Sequence, residues 1–117
     1  MDKFDLEQRT KRFALRVIDF VGGLPKKKVS DVIGYQLLKS GTSIGANYRE
    51  ANRGESRNDF IHKIGIVEKK AAETQYWLEL CREAGLGQDE DLQKLLQESG
   101  ELLAIFTRIG KTAKARR

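Results

Sequence analysis

Ser40-Gly41-Thr42-Ser43-Ile44-Gly45-Ala46-Asn47-Tyr48-Arg49-Glu50-Ala51 decides the fold. The stretch sits inside a pattern that otherwise reads as helix, yet two glycines and several small hydroxyl residues occupy it. Each interior Gly costs a helix roughly 1 kcal/mol against Ala. A helix that carries such residues gains close approach, because a face without side chains lets a neighbour come nearer than the usual 8–10 Å. Ile33, Leu37, Gly41, Ile44, Tyr48 and Ala51 fall on one stripe at three- and four-residue steps. Gly41 is therefore expected to face the core at a tight helix crossing.

Outward from this stretch, the pattern predicts four helices. Leu6, Phe13, Val17, Phe20, Val21 and Leu24 give the first its apolar face, with Asp5 as the expected cap and Gly22-Gly23-Leu24-Pro25 as the stop. The second is expected from about Val29 to Arg53. Ser56 then caps a third, with Asp59 completing a short-acid capping box. Along that third helix Phe60, Ile64, Val67, Ala71, Thr74, Leu78 and Cys81 form an unbroken stripe, which Ile61, Trp77, Leu80 and Ala84 widen to a second face. A second apolar face needs cover, which a further subunit would supply most simply. Gly65, beside the stripe, is a candidate to answer Gly41 or Gly45 across the packed pair.

Gly85-Leu86-Gly87-Gln88 is a turn before a fourth helix capped by Asp89, with Leu92, Leu95, Leu96, Ser99, Leu102, Leu103, Phe106 and Ile109 on its stripe. Beyond Gly110 the chain is expected to fray. Helices joined by short turns, with no credible strand between them, predict an all-α, antiparallel up-down-up-down four-helix bundle. At 117 residues the chain is expected to be one domain, 1–117, ending in a basic tail at about 110–117.

Charge is unevenly distributed. The net +5 resides entirely in Arg108, Lys111, Lys114, Arg116 and Arg117, because acids and bases balance over the preceding residues. A basic segment attracts polyanions, RNA and DNA first, although the same residues also complement a helix dipole and keep a chain soluble. The candidate phosphate contacts are Arg9, Arg12 and Arg16 on the first helix, Lys26, Lys27 and Lys28 after it, Arg49, Arg53 and Arg57 around the next turn, and Lys111 and Lys114 in the tail. Tyr48 among those guanidinium groups, with Asn52, His62 and Lys63 nearby, would suit looped RNA through stacking. Asn47 reads instead as an interhelical hydrogen bond that sets register.

Catalytic chemistry finds little support. With His62 the single histidine, neither a two-His metal helix nor a paired Glu-x-x-His motif can be assembled. No phosphate-binding Gly-rich loop or nucleophile elbow is present, and Cys81 lies on a core stripe without an activating partner. Glu68 and Glu73 could serve as general acids, but solvation or pairing accounts for them more simply. No metal or other cofactor is expected. The absence of any apolar run near ~20 residues predicts a chain that does not span a membrane, and a soluble, cytoplasmic location.

Three blocks carry a family likeness: Gln36-Leu37-Leu38-Lys39 with the organising stretch, Ser56-Arg57-Asn58-Asp59-Phe60-Ile61-His62-Lys63, and Glu73-Thr74-Gln75-Tyr76-Trp77-Leu78. Together they resemble the bacterial four helix bundle protein family, also called 23S rRNA-intervening-sequence proteins, over nearly the whole chain. The resemblance implies an antiparallel bundle, a ring-like homopentamer, no catalytic activity and no cofactor. A related branch acts as the accessory protein of diversity-generating retroelements, where a basic ring is thought to hold nucleic acid and a reverse transcriptase. Two functions follow: a homo-oligomeric bundle that binds RNA or other nucleic acid through basic surfaces, or a scaffold for a protein partner whose charges serve solubility. The neutral body of the chain weakens the first for any surface other than the first helix and the tail.

Overall fold

The computed structural model describes residues 1–116. Four helices follow in order: α1 Lys3–Gly22, α2 Lys28–Asn52, α3 Arg57–Glu83 and α4 Asp89–Ala115. No strand occurs among the described residues. The bundle measures 47 × 21 × 21 Å, so each helix runs along most of the long axis.

Local chemistry sets each terminus. Asp2, rather than Asp5, caps α1: its carboxylate accepts from Asp5 N–H at 2.8 Å, and Asp5 at the third helical position returns the contact to Asp2 N–H at 3.4 Å. Asp5 has the chemistry of a cap, but the completed box places it one turn inside. Ser56 caps α3 as expected, accepting from Asp59 N–H at 3.1 Å, while the Asp59 carboxylate reaches past it to Glu55 N–H at 3.3 Å. The fourth N-cap is Gln88, whose side chain makes no capping bond; Asp89 is already the first helical residue.

The α3 C-terminus closes in a Schellman arrangement. Gly85, at φ +70°, donates to the Arg82 carbonyl, and buried Leu86 donates to that of Cys81 at 2.8 Å. Gly87, also left-handed at φ +83°, lies where a Cβ would enter the Phe20 ring. The α3–α4 turn is thereby packed onto the C-terminal end of α1.

Contacts between α1 and α2 establish an antiparallel crossing. Positions descend along α2 as they ascend along α1: Asn52 meets Glu7, Gly45 meets Thr10, Gly41 meets Val17, and Gly34 meets Val21 and Leu24. A Cβ on Gly41 would sit 3.1 Å from both Val17 methyls, and one on Gly45 3.0 Å from Thr10 Oγ1. The glycine-rich stretch therefore marks a tight crossing, but with α1. Gly65 has open space around it and answers neither glycine. The helical wheel specifies which face lacks bulk, whereas the partner depends on packing order.

Leu37, Ile44, Ile64, Val67, Leu78, Cys81, Leu102 and Phe106 fill the centre. Between α2 and α3 the buried Ser40 and Thr74 hydroxyls are hydrogen-bonded 3.0 Å apart, and Thr74 Oγ1 also donates to the Lys70 carbonyl at 2.7 Å. Asn47 does not cross to another helix: its amide donates to the Ser43 carbonyl one turn back, at 2.8 Å. A carbonyl already within reach satisfies the amide without a partner.

Two further expectations change. α4 stays helical through Ala115, with Ala113 buried, so the basic tail is a helix end rather than a frayed strand; Arg117 lies outside the described residues. The widened face of α3 is largely covered within the bundle, Ile61 being buried and Trp77 and Leu80 half-buried, because α3 packs lengthwise against both α2 and α4. Tyr76 stays exposed on α3, but most exposed apolar bulk sits elsewhere, at Phe4, Leu15 and Ile18 on α1 and Val29, Val32 and Tyr35 on α2. α1 meets α4 along a much shorter seam, which leaves its outer flank bare.

Candidate nucleic-acid interface

Antiparallel packing sorts the basic residues by height in the bundle. The C-terminal ends of α2 and α4 and the N-terminal end of α3 share one end of the long axis, which brings Arg49, Arg53, Arg57, Lys111, Lys114 and Arg116 to it. All are exposed. Arg49, Glu50, Arg53 and Lys63 line a hollow of about 400 Å³ there.

Few of these cations have acid partners. Arg49 Nε stands 3.9 Å from Glu7, and Lys63 pairs with Asp59 at 3.4 Å one turn away. No carboxylate among the described residues comes within 4.0 Å of Arg53, Arg57, Lys111 or Lys114. At the α2 C-terminus such cations also face the negative end of the helix dipole.

Arg9 has a different environment. Its Nε donates to Glu98 Oε2 at 2.8 Å and its Nη2 to Glu98 Oε1 at 2.7 Å, with a further bond to Glu101 Oε1 at 2.8 Å. The paired carboxylate, with its hydrogen bonds, raises the guanidinium further above its already high range, against the opposing effect of burial. Arg9 is thereby occupied in joining α1 to α4. Arg12 and Arg16 remain exposed on α1, Arg16 in a hollow that also contains Asp19, Asp91 and Lys94. Lys26, Lys27 and Lys28 are exposed at the opposite end of the bundle.

Tyr48 is unavailable for stacking. It is buried, 3% exposed, with its ring edge-on to Phe106 at a centroid distance of 5.1 Å. Its phenol is pushed up by burial and by the Glu7 charge, opposed by the neighbouring Asn52 side chain. The exposed aromatic rings are Phe4, Tyr35 and Tyr76. Sequence reading also missed the acids that neutralise Arg9 and Arg49, Glu98 and Glu7, since nothing local to either arginine points to a carboxylate so distant in sequence. Among the described residues no group of three His, Cys, Asp or Glu side chains could hold a metal. No helix is long and apolar enough to cross a membrane.

Fold and surface define an antiparallel four-helix bundle with a basic end. The family model for the 23S rRNA-intervening sequence protein matches residues 2–108, and the chain belongs to that family. A crystal structure of a protein of the S23 ribosomal protein family from Bacteroides thetaiotaomicron, itself of unknown function, has the same fold. It is 36% identical over 95% of this chain and 99% of its own, with a TM-score of 0.86. No curated protein matches the chain.

Proposed function

We propose that this chain forms a non-enzymatic, homo-oligomeric bundle in the cytoplasm that binds nucleic acid, RNA foremost, through phosphate contacts. The gathering of Arg53, Arg57, Lys111 and Lys114 at one end, beside Arg49 with its long contact to Glu7, carries the reading. Cations without acid partners displace the counterions condensed on nucleic-acid phosphates, and that release is the main source of affinity for a polyanion. Arg12 and Arg16 on α1 and Lys26 to Lys28 at the far end extend the same chemistry, whereas Arg9 contributes to the fold.

Oligomerisation is supported by two exposed apolar pairs, Leu15 with Ile18 on α1 and Val29 with Val32 on α2, each one turn apart, since exposed apolar patches on a small protein commonly mark an interface. A pentamer is the assembly that the family resemblance favours. The same apolar residues also support a second reading, in which the partner is another protein and the charges provide solubility.

Salt separates the two. Fluorescence anisotropy of a labelled single-stranded RNA, at rising salt and with the oligomeric mass measured in parallel, should show binding that weakens steeply, with a slope that counts the phosphates engaged. A stable assembly that binds no RNA even at low salt would leave the protein scaffold as the better account.

A further inference from the structure

An open hollow of about 360 Å³ lies between the C-terminal end of α1 and the first three turns of α2, within the size range of small-molecule sites. Val21 and Leu38 give it an apolar wall, and Lys26, Ser30, Asp31 and Tyr35 give it polar and aromatic groups.

The N-terminus of α2, whose third residue Ser30 lines the hollow, is rich in unused donors. Lys27 is the N-cap of α2, and its side chain supplies no acceptor. The first N–H of the helix to find a carbonyl is that of Asp31, 3.0 Å from the Lys27 oxygen, so those of Lys28, Val29 and Ser30 have no backbone acceptor. Free N–H groups at the positive end of a helix form a site for an oxyanion. Lys26, Lys27 and Lys28 are exposed, with no carboxylate among the described residues within 4.0 Å.

Ser30 points to a ligand independently. It is 3% exposed, and its Oγ is buried without any hydrogen-bond partner. Buried hydroxyls are almost always paired, and an orphan one is a group awaiting a partner. As the third helical residue its side chain leans back toward the helix N-terminus, beside the free N–H groups.

Asp31 and Tyr35 narrow the ligand class. A bare oxyanion has no use for a carboxylate or a ring. Asp31 accepts hydrogen bonds only, as from a sugar hydroxyl. Tyr35, 61% exposed and one turn on, offers a face on which a base can stack. Donors, acceptor and ring follow one another along α2, as phosphate, ribose hydroxyl and base do along a nucleotide.

We propose that this hollow is a ribonucleotide subsite, with the phosphate on the α2 N-terminus and Ser30, a ribose hydroxyl on Asp31 and the base on Tyr35. The unit is either a free 5′-nucleotide or one nucleotide of an RNA chain. The inference deepens the nucleic-acid reading, on which it rests for the role of Lys26 to Lys28, and assigns a chemical unit to one place.

The test is amide-detected NMR on the full ¹⁵N-labelled chain, titrated with 5′-AMP, 2′-deoxy-5′-AMP, adenosine and a 5′-phosphorylated oligoadenylate. Expected are shifts confined to Lys28, Val29, Ser30, Asp31 and Tyr35, weaker binding of the deoxy analogue and none of adenosine. Lys27→Ser and Lys27→Ala remove the same charge, but only Ser caps the free N–H groups. K27S should therefore raise Tm and bind at least fivefold more weakly than K27A. Tyr35→Ala should weaken binding about tenfold through lost stacking.

Shifts spread evenly over every basic residue, or equal affinities for K27S and K27A, would overturn the subsite. RNA binding with a steep salt slope but silent α2 amides would also overturn it, while leaving the broader reading intact. If 5′-AMP shifts these amides and the oligoadenylate does not, the subsite stands as a free-nucleotide site, and RNA binding is left to the basic end around Arg53.

Discussion

Arg9 and Glu98 form a two-pronged ion pair, Nε to Oε2 at 2.8 Å and Nη2 to Oε1 at 2.7 Å, across the shortest seam of the bundle. Both side chains are about one-fifth exposed, which limits screening without burying the charges outright. Glu98→Gln should cost about 1 kcal/mol, the range of a partly exposed, well-formed Arg–carboxylate pair. Thermal unfolding should show it as a Tm lower by about 4 °C. Arg9→Ala should lower Tm similarly and leave the salt slope of RNA binding unchanged, whereas Arg53→Ala should reduce that slope by about one. A slope that falls with Arg9 would return this residue to the phosphate surface.

Gly41 and Gly45 of the α1–α2 crossing should behave oppositely to Gly65. A methyl at Gly45 meets Thr10, whose hydroxyl is hydrogen-bonded to the Leu6 and Glu7 carbonyls, both at 3.0 Å, and whose backbone is also close. Gly45→Ala should destabilise by about 1–3 kcal/mol despite the better helix propensity of Ala. Gly65 has nothing within 4 Å, so Gly65→Ala should stabilise by up to about 1 kcal/mol. Chemical denaturation of the two variants checks both signs, and a stable Gly45→Ala would refute the tight crossing.

Alkaline pH should weaken the fold. Burial pushes the Cys81 thiol above its ordinary 9.0, and burial with the Glu7 charge pushes the Tyr48 phenol above 10.0. In the unfolded chain both groups ionise earlier, so above pH about 9 the unfolded state binds fewer protons than the native one. Stability is thus full below that pH and falls as pH rises toward the folded values. The pH slope of ΔG above 9 should flatten in Cys81→Ala and again in Tyr48→Phe; an unchanged slope in both would place the alkaline sensitivity elsewhere.

Leu15 and Ile18 are 53% and 46% exposed on the outer flank of α1. Replacing both by Glu should dissociate the proposed oligomer, as seen by sedimentation, and leave the helical content of the monomer intact because neither side chain enters the core. An assembly of unchanged mass would exclude this flank as the contact between copies.

Ser56→Ala removes the side-chain acceptor 3.1 Å from Asp59 N–H and should cost about 1 kcal/mol. Equilibrium denaturation with unchanged m-value would read it directly.

How legible the molecule was depends on distance along the chain. Helix number, the stripe through Leu37, Gly41, Ile44 and Tyr48, the Ser56 cap and the glycine turn at Gly85 all follow from residues within two turns of one another, where backbone geometry alone sets the spacing. The same period placed Tyr48 in the core, so its use as an RNA-stacking ring conflicted with the stripe it belongs to. Asn47 failed as a register pin for a related reason, since the Ser43 carbonyl was the nearer acceptor.

What lies opposite each face was a different matter. That Gly45 meets Thr10 rather than Gly65, that Arg9 is tied to Glu98 while Arg53 faces water, and that the bare apolar flank belongs to α1 rather than α3 are decided by the order in which four helices surround one core. The sequence by itself determined the helices, their inward stripes and an uneven charge. Tertiary packing alone decided which cations are neutralised, which gather at one end, and that an unpartnered Ser30 shares a hollow with Lys26 and Tyr35. Periodicity encodes direction around one helix axis, whereas pairing between residues far apart in sequence is set by long-range packing that no local pattern records.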